Sequence, residues 1–346
     1  MRILLAVAMA LAVLTPPAAA EPGAVPEKAA LSGKTHIFYY PWYGNPAVSG
    51  SYRHWPQGGH QPPQDIGADL YPTLGPYDSG DFSGAVDQHM AWIQRAGVGT
   101  LVYSWWGRGS YEDGLTPGVL AAAAKYGLKV AWHLEPYGGR TAQSTVDDIA
   151  YINERYGSSP AFYRDAAHGN RPAFYVFDSL SIADWSPIGP LRANNIVLAQ
   201  TTDLSWVTHF GGIYTYDVLA TMNPVGWQGI ADYARANGLV WAPSIGPGYV
   251  DDRAVPGNTT PTLAREDGRT YDTQWATVLD PANGGEPDWV SITSFNEWHE
   301  GSTLEPASST PPPGFGYQDY EGAYGKAGAD AETAYLDRTR HWTSQF

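Results

Sequence analysis

The 346-residue chain contains no cysteine, which removes disulfides, thiolate nucleophiles, cysteine-based metal sites and a lipoprotein anchor from consideration. It also lacks the motifs of several other chemistries. There is no His-Glu-x-x-His for zinc and no Gly-x-Ser-x-Gly for a serine nucleophile. The nearest approach to a glycine-rich nucleotide loop, Gly246-Pro247-Gly248, has a proline where a phosphate cradle needs a backbone N–H. Asp251-Asp252 lacks the alternating oxygen ligands of a calcium loop. No metal and no other cofactor is therefore expected. Basic residues are scarce as well: 20 Lys and Arg stand against 35 Asp and Glu, a formal charge of −15. Nucleic acid and anionic membrane surfaces both require clustered positive charge, so neither is an expected partner, whereas a neutral polymer is indifferent to the imbalance.

The apolar run from Ile3 to Leu14 is too short to span a bilayer. With Arg2 before it and Thr15-Pro16-Pro17-Ala18-Ala19-Ala20 after it, residues 1–20 read as a secretory signal peptide. Residues 21–34 then form a flexible lead-in. Residues 35–346 are expected to be one catalytic domain, since no linker, repeat or low-complexity tract divides them. Export without disulfides suits a secreted or periplasmic bacterial protein, and a monomer is expected.

Aromatic residues are plentiful but uneven, with 14 Trp and 23 Tyr against only 9 Phe. Tyr and Trp carry a polar handle on a flat apolar face, which matches the C–H face and hydroxyl rim of a sugar. Phe would fill a core equally well, so its scarcity favours a carbohydrate-lined cleft over mere packing.

Segments rich in β-formers begin at His36 and recur at 100–107, 129–136, 173–178, 195–200, 212–217, 239–244 and 289–295. Helical patterns fall at 82–96, 115–126, 145–156, around 230–234 and at 332–342, with short helical stretches near Trp185 and over 203–209. This alternation predicts a single-domain α/β (β/α)8 TIM barrel, in which the active site forms at the carboxyl ends of the strands. Those ends carry Tyr40, Trp42 and Tyr43, then Trp105 and Trp106, His133 and Glu135, Asp178, Tyr216 and Asp217, and Tyr249 in the loop after strand seven. Long aperiodic loops, 45–80 foremost, belong to the same face.

The densest chemistry lies at 291–301, Ser-Ile-Thr-Ser-Phe-Asn-Glu-Trp-His-Glu-Gly. If the chain turns helically after the last strand, Glu297 and Glu300 face the same way with Cβ atoms about 5–6 Å apart. Two carboxyls about 5–5.5 Å apart are what retaining glycosidic cleavage uses, and their mutual repulsion keeps one protonated. The bland alternative is a helix-capping Glu beside a solvated one; the strand end, Trp298 and His299 weigh against it. Glu135 reads either as an acid or nucleophile or as a partner of a substrate hydroxyl, and the second is preferred. Asp178 and Asp217 read first as caps. His299 reads as an orienter.

Residues 38–44 (Phe-Tyr-Tyr-Pro-Trp-Tyr-Gly), 104–106 (Ser-Trp-Trp), 133–137 (His-Leu-Glu-Pro-Tyr), 174–179, 212–216, 244–249 (Ser-Ile-Gly-Pro-Gly-Tyr) and 293–301 closely resemble glycoside hydrolase family 99. The resemblance implies a (β/α)8 endo-α-mannosidase that cleaves internal α-1,2-mannosidic bonds with retention and needs no metal. The substrate is then α-mannan or a high-mannose oligosaccharide. It further implies that Glu297 acts as base on the sugar's own 2-hydroxyl and Glu300 as acid and then base, through a 1,2-anhydro sugar. By the same resemblance Glu135 and Tyr249 contact the sugar beside the scissile bond; with Tyr40, Tyr43, Trp106, His133, Tyr216, Asn296, Trp298 and His299 they make up the expected substrate-binding set. Trp106 matches the Trp of mannan-type members, where the N-glycan type carries Tyr, and this implies mannose preference one sugar from the cut. A non-catalytic mannan-binding protein, or an endo-glycosidase on another α-linked polymer, would keep the same aromatic cleft. The loops 45–80 and 251–268 would shape the outer subsites.

Overall fold

In the computed structural model, which describes residues 30–346, nine strands make one sheet in which every pairing is parallel. They are β1 (Ser32–Tyr39), β2 (Val98–Trp105), β3 (Lys129–Leu134), β4 (Ala173–Val176), β5 (Ile196–Gln200), β6 (Gly212–Tyr214), β7 (Val240–Ala242), β8 (Ser244–Ile245) and β9 (Val290–Ile292). The order in the sheet is β7-β6-β5-β4-β3-β2-β1-β9-β8. Only Pro243 separates β7 from β8, so the two sheet ends are one strand that changes partner at a residue with no N–H to give. Its first half pairs with β6 and its second with β9. The sheet thereby closes, and the expected (β/α)8 barrel is the fold found.

The strands are buried along almost their whole length, as in a parallel sheet covered on both faces. Alternation puts His36, Phe38 and Tyr40 on the inner face. There the Phe38 ring packs against His133, Tyr175, Tyr214 and Tyr216 at centroid distances of 4.7 to 6.0 Å. The polar tips of these rings pair with one another: Tyr175 Oη with His36 Nδ1 at 2.8 Å and Tyr214 Oη with His133 Nε2 at 3.0 Å. The largest fully buried side chains are without exception Trp or Tyr. This corrects the compositional reading, because the aromatic excess chiefly fills the core, with its hydroxyls satisfied there.

The helices are α1 (Ala85–Arg95), α2 (Tyr111–Lys125), α3 (Ala142–Tyr156), α4 (Trp227–Ala236), α5 (Arg269–Leu279), α6 (Ala329–Glu332) and α7 (Ala334–Thr343). Helix α1 starts later than expected because Asp81 caps it, its carboxylate accepting from the N–H groups of Gly84 and Ala85. Helix α2 starts earlier, capped by Ser110, and carries Pro117 inside it. Pro117 cannot donate to the Asp113 carbonyl, and Tyr156 Oη lies 3.3 Å from that oxygen. Only 3-10 turns follow β4 and β5, at Ser179–Ser181 and Ser186–Ala193 after the first and at Leu204–Trp206 after the second.

The expected signal peptide and most of the lead-in lie outside the described residues. The end of the lead-in is corrected: Ser32 already donates to Gly97 O at 2.8 Å and opens β1. The 45–80 loop is tied down, with Gly44 bridging to Arg53, Leu70 to Gln318 and Pro72 to Ala307. Among the described residues no helix is long and apolar enough to cross a membrane.

Candidate active site

The last strand was expected to run to Phe295, but β9 stops at Ile292 because the chain folds back on itself. Ser294 N donates to Ser302 O, Leu304 N to Ser294 O and Glu305 N to Phe295 O, each at 2.8 to 2.9 Å. Inside this closed loop Trp298–Glu300 makes a single 3-10 turn. Glu297 is its N-cap, accepting from His299 N at 3.1 Å, so capping and chemistry fall on one carboxylate. The turn ends at Gly301 with φ 56°, where a Cβ would lie 2.5 Å from Val250 Cγ1. Only glycine lets Val250 N reach Glu300 O at 2.8 Å.

Both carboxyls therefore open at the barrel mouth. Glu297 is buried and Glu300 half-buried, the latter in a cleft of about 210 Å³ with Tyr216, Asp217, Tyr249 and Thr260. Burial, and then the charge of Glu300, push the Glu297 carboxyl well above the usual range. Burial and the charges of Asp251, Asp217 and Glu135 raise Glu300 to about 7, against a hydrogen bond from Tyr216 that lowers it. Tyr216 Oη is 3.4 Å from Glu300 Oε2 and 2.6 Å from Tyr40 Oη. Tyr216 holds φ at 61°, a strained value for a bulky residue. Its backbone is clamped there by Ser244 Oγ at 2.6 Å and Thr293 Oγ1 at 2.8 Å.

Of the other expected residues, Glu135 belongs to the site: it is buried, accepts from Ser104 Oγ at 2.7 Å and bears electrostatically on both glutamates. Tyr249 is half-buried in the same cleft, donating to Asp251 Oδ2 at 2.9 Å. Trp106 is half-buried at the mouth and its indole Nε1 has no protein acceptor. Five of the expected residues are buried and spend polar atoms on the protein or stack within it. Asn296 clamps the Tyr40 backbone, accepting from its N–H at 2.8 Å and donating to its carbonyl at 3.0 Å. Tyr43 Oη donates to Asn296 O at 3.0 Å. Trp298 donates from Nε1 to Glu305 Oε2 at 3.0 Å. His133 stacks under Tyr216, 17° from parallel, with Nδ1 2.9 Å from Glu135 Oε1 but unaligned for a hydrogen bond. His299 Nε2 lies 3.1 Å from His54 O, and burial and the neighbouring His54 lower its pKa to about 3, so it orients as a neutral ring.

Two residues stand outside the expected substrate-binding set: Trp42, although it is among the strand-end residues, and Glu305. Trp42, not Tyr43, reaches the mouth: it is half-buried, lies flat on His54 at 4.6 Å and leaves Nε1 without a protein acceptor. The parity that carries His36, Phe38 and Tyr40 inward continues to position 42 and was the available signal. Glu305, fully buried, anchors the catalytic loop from beneath, with Tyr77 Oη at 2.8 Å, Trp298 Nε1 at 3.0 Å and His89 Nε2 at 3.2 Å. A larger cavity of about 560 Å³ lies at the opposite, amino-terminal end of the barrel around Lys34, Lys129 and His168, away from the glutamate pair.

A closed parallel barrel with two carboxyls in one turn at the carboxyl ends of its strands, one buried and one half-buried, is an architecture that suits a glycoside hydrolase. The chain matches the family described as Glycosyl hydrolase family 99 over residues 30–189 and 194–346, and it belongs to that family. It is 34% identical to mouse glycoprotein endo-alpha-1,2-mannosidase over 90% of this chain and 74% of the relative. It is 35% identical to a human glycoprotein endo-alpha-1,2-mannosidase-like protein over 90% and 75%. The solved family 99 endo-alpha-mannosidase from Bacteroides thetaiotaomicron superimposes with a TM-score of 0.80 at 34% identity, covering 91% of this chain and 98% of that one.

Proposed function

We propose that this hydrolase is an endo-α-mannosidase that cleaves internal α-1,2-mannosidic bonds of mannan or high-mannose glycans with retention of configuration. The observation that carries the reading is the Glu297–Glu300 turn, which brings two carboxyls to the barrel mouth, both pushed above the usual carboxylate range by burial first. In an α-mannoside the 2-hydroxyl is trans to the departing group at C1, aligned for displacement from within the ring. Glu297 takes the 2-hydroxyl proton as O2 bonds to C1, and Glu300 gives its proton to the leaving oxygen as the C1–O bond breaks. The 1,2-anhydro sugar then opens as Glu300 takes a proton from water attacking C1 and Glu297 returns one to O2. Two inversions give net retention. The names of the mouse and human relatives and of the Bacteroides enzyme support the bond and sugar chosen.

The test is a panel of neutral α-linked polymers, with proton NMR of the first product. Fragments from α-1,2-linked mannan with the α-anomer formed first are expected. Initial β-anomer, or cleavage of another polymer alone, overturns the assignment. The leader-like first 20 residues support export, and the exported protein is proposed to be a monomer; mass analysis and sedimentation of the mature protein from periplasm and medium check both.

A further inference from the structure

The cleft around Glu300 does not end at Asp217. That residue also lines a second cavity, of about 390 Å³, over the carboxyl ends of β4, β5 and β6, within the roughly 300–1,000 Å³ typical of small-molecule sites. We propose that the second cavity is a further subsite of the same substrate groove, in which a neutral glycan chain crosses Asp217 and seats its next sugar against Asp178, Gln200 and Thr202.

The lining selects the ligand class. Gln200 Oε1 accepts from Asp178 N at 2.7 Å, which fixes the amide, and its NH2 group has no protein partner among the described residues. Asp217 accepts from Leu219 N through Oδ1 at 2.7 Å, leaving Oδ2 for a ligand. The lining carries three carboxylates, Asp178, Asp203 and Asp217, and no Lys or Arg; the guanidinium beside Asp178, Arg140, is spent on the carbonyls of Leu134, Phe177 and Asp178. An anion is repelled by that balance. No group of three or more His, Cys, Asp or Glu side chains among the described residues is arranged to hold a metal ion. A neutral polyol fits the lining: a carboxylate accepts from vicinal hydroxyls, the Gln200 NH2 donates to a hydroxyl or ring oxygen, and Leu180, 48% exposed, offers an apolar surface to a sugar's C–H face.

The platform is rigid. Val176 pairs with Ala199 and Gln200 with Tyr214, so the donors and acceptors stand at adjacent strand ends. The inference rests on reading the Glu300 cleft as the place where a polymer is cut.

The experiment compares the native enzyme with Thr202→Trp, which fills the cavity from an exposed position, and with Asp178→Asn, which keeps shape and removes charge. The probes are α-mannan oligosaccharides of graded length and an α-mannobiosyl fluoride too short to reach. The expected result is kcat/KM that rises with length in the native enzyme and falls up to about tenfold in both variants on long chains, the scale of one or two neutral hydrogen bonds. The fluoride should change less than about twofold in the same comparison. Equal losses on both probes, or no loss on either, would overturn the subsite. If the native enzyme spares mannan and cuts another neutral polymer, the mannosidase reading fails, and the same length series on that polymer decides the subsite. Calorimetric titration of Glu300→Gln with each series gives the length dependence without turnover.

Discussion

At the scale of single residues, the two glutamates are separable by what each does to the leaving group. Glu300→Gln removes the proton donor, so turnover of mannan should fall by about 10²–10⁴, while a substrate whose leaving group departs unprotonated keeps much of its rate. Glu297→Gln should damage both, since the 2-hydroxyl must be deprotonated either way; identical losses on the two substrates would refute the division of roles. Their ionisation also bears on stability. A carboxyl whose pKa is raised by folding holds a proton that the unfolded chain releases above about 4.5, so its favourable contribution is complete below that pH and lost as pH rises through about 7. Glu300→Gln cannot ionise and should therefore melt higher than the native enzyme at pH 8, by at most about 3 kcal/mol of stability, and equally at pH 4; a lower melting point at pH 8 would mean the charge is stabilised. Trp106→Tyr should move selectivity next to the cut from mannose towards glucose by up to about tenfold, read from kcat/KM on Man-α-1,3-Man and Glc-α-1,3-Man substrates. An equal loss on both with a lowered melting temperature would make Trp106 a packing residue. Glu297 and Glu300 could be found in the sequence because carboxylates so close past a strand end have few structural uses. The polar atoms of Tyr43, Asn296 and Trp298 are engaged by partners 253 to 256 residues away or by Glu305, which no local pattern reveals.

At the scale of elements, the catalytic turn is held from two sides. Glu305 fixes it from below through Trp298, and Arg265 from outside, donating to Gly301 O at 2.9 Å and Thr303 O at 2.7 Å. Glu305→Ala would leave Tyr77 Oη and His89 Nε2 short of an acceptor in a sealed volume, at about 1–3 kcal/mol for each group left unmet, and Trp298 Nε1 with only Tyr77 Oη at 3.2 Å. Glu305→Gln is milder: its carbonyl can serve Trp298 and Tyr77, and its NH2 can meet His89 if that ring moves its proton to Nδ1, where Tyr39 Oη lies 3.1 Å away. The alanine variant should lose kcat tenfold or more, by the rough scale of that loss, with KM little changed, and glutamine should restore most of it. Full activity in Glu305→Ala would show that the turn holds without its anchor. The strands were readable because each is a short run of β-branched and aromatic residues. Helix α5 was not, because its buried face includes Thr270 and Gln274. Gln274 spends its amide on Gly246 N at 2.7 Å and Val218 O at 2.8 Å, so a core position looks polar in the sequence.

At the scale of the whole molecule, the excess of acid over base sets which polymers approach. The formal charge of −15 is reinforced at the mouth by Glu135, Asp217 and Asp251, whose charges reach Glu300. The cationic side chains nearest the catalytic loop are already engaged: Arg265 on loop carbonyls, and Arg253 on Phe315 O at 2.8 Å and Ile66 O at 3.1 Å. A neutral mannan meets no long-range force, so its kcat/KM should be flat with ionic strength. Mannan bearing phosphodiesters is repelled over the Debye length, about 30 Å at 0.01 M salt and about 8 Å at 0.15 M. Its cleavage should therefore start slower than that of the dephosphorylated polymer and approach it as salt is raised, through KM and not kcat, because the repulsion acts on encounter. Paired assays on one mannan before and after removal of its phosphate, across that salt range, isolate the effect. If the phosphorylated polymer is the better substrate at low salt, a cationic outer subsite must exist on the rim despite the molecule's charge, and the groove would have to run towards Arg253 and not across Asp217.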